Sequence, residues 1–138
     1  MRLRYLALGD SYTIGEGVDP ADRWPYRLTA RLRAQGIDVG EPEIIATTGW
    51  TTGELATALE DRDPEGPYDL VTLLVGVNDQ YRGHGVERYL SGFTALLARA
   101  GVRVAFTQML SDRSHNSGKI RQLAGNAVAN GLPWELGL

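Results

Sequence analysis

Residues 69–76, DLVTLLVG, run almost unbroken through apolar side chains and stop at a glycine. A strand with one wet face alternates apolar and polar residues, whereas a strand covered on both faces does not. The pattern is that of a central strand in a parallel sheet. Parallel neighbours need crossover connections, which are usually helices. Working outward, residues 3–8 read as an earlier strand, 42–49 (PEIIATTG) as a short second one, and 102–108 (VRVAFTQ) as a fourth. Helical patterns lie between them. Trp24, Leu28 and Leu32 fall at i, i+4 and i+8 on one helix face, with Gly36 as a stop just past its end. Thr51 and Glu54 fit a capping box ahead of a helix carrying Leu55 and Leu59. Tyr89, Leu90, Phe93, Leu96 and Leu97 define a third helix, ended by Gly101. The βαβαβαβ order predicts an α/β fold, a parallel sheet with helices on both faces.

The bulk properties narrow the function. A length of 138 residues suits one domain, 1–138, with a real core. A net charge of −3 gives no electrostatic footprint for nucleic acid and no polybasic patch for a membrane surface. There is no cysteine, which excludes disulfides and thiolate metal sites. No apolar run approaches the ~20 residues of a membrane span, and the N-terminal run is too short and interrupted for a signal peptide. A cytoplasmic location is the expectation.

Ligands of parallel sheets bind at the carboxyl ends of the strands. Three segments fall there: Gly9-Asp10-Ser11, Thr48-Gly49-Trp50, and Gly76-Val77-Asn78-Asp79. Ester hydrolysis by a serine needs an activated hydroxyl, a base and donors aimed at the developing oxyanion. Ser11 supplies the hydroxyl, at the start of a helix whose free N–H groups favour negative charge. A Gly49 N–H has no side chain to block close approach, and the Asn78 amide is a neutral donor. Each piece has an ordinary reading on its own. Gly-Asp-Ser after a strand is a turn, Gly49 a turn glycine, and Asn78-Asp79 a helix N-cap pair. Their occurrence together, each at a strand end, is the more specific signal.

The blocks GDSYTIGEG, TTGWTTGEL and GVND resemble those of the SGNH (GDSL-type) hydrolases, and the likeness covers about residues 1–107, including RWPYRLTARL and YDLVTLLVGVNDQYRG. The resemblance implies a three-layer α/β/α sandwich (the flavodoxin-like arrangement) and a bacterial esterase or lipase-like activity on small esters without metal or cofactor. It implies Ser11 as nucleophile, with Gly49 and Asn78 completing an oxyanion hole beside the Ser11 N–H.

The chain departs from the family in residues 108–138. Members carry a late Asp-x-x-His whose histidine is the general base. Of the two histidines here, His84 lies in a glycine-flanked loop and reads as a solvated surface residue. Asp112 and His115 have the Asp-x-x-His spacing, but directly after the fourth strand and with Asn116 where proline is usual. Either a deletion has brought this block forward, or the tail is unrelated sequence. Three of the four asparagines (Asn116, Asn126, Asn130) lie in that tail, which favours the second account slightly. A short helix between Ile120 and Val128 is the one element the tail suggests. The alternatives to an active hydrolase are an impaired remnant that binds acyl or carbohydrate ligands, and a shortened chain that folds with a partner at its exposed sheet edge. The oligomeric state and the substrate are not encoded in these motifs.

Overall fold

The computed structural model describes residues 2–100 and 104–107. Strand β1 (Tyr5–Gly9) is buried at every position, so both its faces are covered. It pairs in parallel with β2 (Glu43–Ala46) on one side and β3 (Leu70–Val75) on the other. Beyond β3 lies β4 (Val104–Thr107), giving the order β2-β1-β3-β4. The chain thus leaves β1 toward one edge, then crosses back past it to build the other half of the sheet.

Side-chain alternation along the strands sorts the core into two layers. Leu6 and Leu8 join Ile45, Val71, Leu73 and Val75 on one face. Onto it pack Leu55 and Leu59 of α3 (Thr52–Arg62) and Tyr89, Phe93, Leu96 and Leu97 of α5 (Val86–Ala100). Tyr5 and Ala7 point the other way, toward Ile44, Leu70, and Leu28 and Leu32 of α2 (Trp24–Ala34). This is the expected three-layer α/β/α sandwich. Leu8, Leu55 and Leu73 are fully buried, each worth about 1.5–3 kcal/mol relative to exposure. Tyr5 shares a hydrogen bond of 2.9 Å with Thr72 Oγ1, and burial pushes its hydroxyl up to about 12.

The local signals act as read. Gly36 takes φ +84° just after α2, where a left-handed residue ends a helix. The Thr51 hydroxyl accepts the Glu54 N–H at 3.3 Å, capping α3. The reciprocal half of the box is different, because the Glu54 carboxylate accepts the Thr51 hydroxyl at 3.4 Å and pairs with Arg82. Two short helices escape the periodicity: α1 (Ser11–Ile14) and α4 (Val77–Tyr81). Leu3, expected in the first strand, makes only an isolated bridge to Val39. Gly101 and the segment 120–128 lie outside the described residues.

Candidate active site

The strand register decides which loops meet. Gly9 pairs with Ala46 on one side and Leu74 on the other, so β1, β2 and β3 end level. The residues that follow them share one edge, at the point where the order reverses and a crevice opens.

Ser11 is the first residue of α1, half-buried at this edge. The turn before it is held from below. A Cβ on Gly9 would sit 2.2 Å from Thr13 Oγ1 and 2.7 Å from the Leu74 carbonyl oxygen. The glycine is required by this close approach, not by a special backbone angle. Thr13 in turn accepts the Trp24 indole N–H at 3.3 Å, tying α1 to the start of α2. With four residues, α1 contributes only a small dipole, so the field expected at Ser11 comes mainly from its few free N–H groups.

Asp10 caps α1 by accepting the Tyr12 N–H at 3.0 Å through Oδ1. Its side chain is fully buried, and among the described residues its Oδ2 has no partner. Burial pushes the Asp10 carboxyl up to about 6; the Tyr12 N–H opposes the rise and the charge of Asp79 adds to it.

Gly49 takes φ +88°, which favours glycine. An added Cβ would meet nothing closer than Arg82 Nη2 at 3.8 Å, so its backbone angle is what calls for glycine here. Asn78 stands in the first turn of α4 and its Nδ2 donates to the Trp50 carbonyl at 3.0 Å. An amide carries two hydrogens, so one remains for a ligand. The N-cap of α4 is Gly76 at φ +143°, where a Cβ would collide with the Tyr89 ring at 2.8 Å. Asn78-Asp79 is therefore not the cap pair that its sequence suggests.

Asp79 is buried and accepts from the Thr52 backbone N–H at 3.0 Å and the Thr52 hydroxyl at 2.7 Å. His84 is not the solvated residue expected. Its side chain is 17% exposed, and its Nδ1 lies 3.6 Å from Asp79 Oδ1. The Arg82 guanidinium donates to the Gly49 carbonyl at 2.7 Å and also pairs with Glu54. Sequence reasoning missed Thr52, Asp79 and Arg82 as site residues, because no short motif links 52 to 79 or 49 to 82. Asp112 and His115 lie outside the described residues.

A groove of about 440 Å³ opens beside α1, floored by Ile14, Ile44 and Ala46 and rimmed by Thr47, Thr48 and Arg23. Thr48 Oγ1 donates to Glu16 there at 2.7 Å. Among the described residues, no three His, Cys, Asp or Glu side chains cluster to hold a metal ion. No described helix is long and apolar enough to cross a membrane.

No curated protein matches the sequence significantly. Solved structures do match the fold. The psychrotrophic esterase EstA from Pseudoalteromonas sp., inhibited by monoethylphosphonate, is 19% identical with a TM-score of 0.68, covering 97% of this chain and 76% of its own. The corresponding values for TesA are 20%, 0.72, 95% and 76%. For the lipase/acylhydrolase from Enterococcus faecalis they are 22%, 0.69, 97% and 75%. The family model of GDSL-like lipases and acylhydrolases matches residues 7–132, and with the level strand ends and their three loops this places the chain in the GDSL-like lipase/acylhydrolase family of hydrolases.

Proposed function

We propose that this hydrolase cleaves small carboxylic esters through Ser11, with the Ser11 and Gly49 N–H groups and the Asn78 amide as an oxyanion hole. The observation that carries the reading is the meeting of residues 11, 49 and 78 on one sheet edge, with the Asn78 amide bonded into the Gly49 loop. Ser11 Oγ attacks the ester carbonyl carbon while His115 accepts the hydroxyl proton. The carbonyl oxygen becomes a tetrahedral oxyanion facing the three donors. Collapse breaks the C–O bond, and the imidazolium returns its proton to the departing alcohol. Water then repeats the sequence on the acyl-serine, releasing the carboxylic acid and restoring Ser11. Asp112 orients His115 and stabilises its imidazolium. The reading of this pair rests on its Asp-x-x-His spacing, within the span of residues 7–132 that the family model matches.

A phosphonate inhibits the similar esterase EstA, and the same chemistry tests this chain. A fluorophosphonate probe should label Ser11, and Ser11→Ala should abolish labelling. Labelling that survives the substitution puts the nucleophile elsewhere.

A further inference from the structure

We propose that Asp79 and Arg82 are positioning residues that clamp the turn at residues 49–52 onto α4. The clamp holds the Gly49 N–H and the Asn78 amide as one preformed pair of donors. The inference rests on the oxyanion-hole reading above.

The need for a clamp follows from the local structure. The Gly49 N–H sits on a turn with φ +88°, at a residue type with the widest backbone freedom. Asn78 sits on a helix of five residues, too short to be rigid by itself. An oxyanion hole works only if its donors are placed before charge develops. Something must fix one segment against the other.

Two side chains of the α4 segment bracket the turn. At its far end, Asp79 fills both carboxylate oxygens from Thr52: Oδ2 takes the backbone N–H at 3.0 Å and Oδ1 the hydroxyl at 2.7 Å. Thr52 opens α3, so this N–H is one of the donors a helix start leaves without an internal partner. A buried carboxylate is costly unless its oxygens are occupied, and charge-assisted bonds to it are strong. At the near end, Arg82 donates one arm to the Gly49 carbonyl at 2.7 Å and the other to Glu54. Between them, Asn78 Nδ2 holds the Trp50 carbonyl at 3.0 Å. Spacings of three and four residues put 78, 79 and 82 on neighbouring positions of one helical surface. Gly49, Trp50 and Thr52, three of the four residues of the turn, are thereby each tied to α4 or its C-cap.

Arg82 is the cleaner handle. Its side chain is 46% exposed, and an exposed ion pair contributes little to global stability. Removing it should loosen the turn without unfolding the protein. The whole chain would be compared as parent, Arg82→Ala, Arg82→Lys, Asp79→Asn and Asn78→Ala. Melting temperature, kcat and KM for an activated acetate ester, and ¹⁵N relaxation of the Gly49 and Asn78 amides would be measured. Arg82→Ala should lower kcat by about ten- to a hundredfold, as small misplacements do. KM and melting temperature should stay near the parent values, and both amides should lose order. Lysine, a single point charge, should not restore the two-armed contact. Combined with Asn78→Ala, the loss should be less than additive. Parent-like kcat and order in Arg82→Ala, beside an impaired Asn78→Ala, overturns the clamp alone. A parent-like Asn78→Ala instead removes the oxyanion-hole reading, while the relaxation data still judge the clamp. Should Asp79→Asn fail to fold, Arg82→Ala remains decisive.

Discussion

Asp10→Asn isolates the cost of burying a carboxylate beneath α1. Burial raises the Asp10 carboxyl from 3.8 to about 6. Between these values the folded chain binds more protons than the unfolded chain. Stability therefore falls as pH rises through the window from about 4 to 6, then levels off. A difference of about two pH units corresponds to about 3 kcal/mol at ~1.4 kcal/mol per unit. Asparagine imitates the protonated acid and caps a helix as well as aspartate does. Its Oδ1 can keep the Tyr12 N–H, while its NH₂ stands where Oδ2 now has no partner among the described residues. Any cost of burying that NH₂ is the same at every pH. The variant should consequently gain on the parent by up to about 3 kcal/mol between about pH 4 and pH 7.5. Urea unfolding of both proteins at the two pH values measures it. With a slope of about 1.5 kcal/mol/M, the gap between midpoints should change by about 2 M. Carboxylates that do not interact with Asp10 contribute the same in both proteins and cancel. A gap independent of pH would refute the argument and imply that Asp10 is ionised without penalty.

Gly9→Ala should destabilise the fold by about 3 kcal/mol, measured by urea unfolding, since overpacking against backbone costs ~1–3 kcal/mol or more and the new Cβ meets the Leu74 carbonyl at 2.7 Å. A cost below about 1 kcal/mol would show that the α1 turn yields easily. If His115 is the base, ester turnover should rise with pH as the imidazole loses its proton. His115→Ala should abolish it, and Asp112→Asn should lower kcat more than KM. Turnover that survives His115→Ala and fails in His84→Ala would move the base to the histidine beside Asp79.

The strands and long helices were legible because burial leaves a local mark. The almost unbroken apolar run at 70–75 announces a strand covered on both faces, and Leu28 and Leu32 repeat at helix spacing. Ser11, Gly49 and Asn78 stood out because each follows a strand at the edge where parallel sheets bind ligands. What stayed hidden involves atoms far apart in the chain. Gly9 looked like a bend, but its reason is the close approach of Thr13 and of a carbonyl at residue 74. Asp79 looked like a helix cap, but its carboxylate accepts its two hydrogen bonds from Thr52 and stands beside His84. His84 looked solvated because glycines surround it, and only the fold brings it against a buried carboxylate. The helices α1 and α4, of four and five residues, are too short for any period to show. Apolar periodicity is written in neighbouring residues and can be read along a line. A hydrogen bond between residues 52 and 79, or 49 and 82, depends on the strand order and register that set those residues side by side.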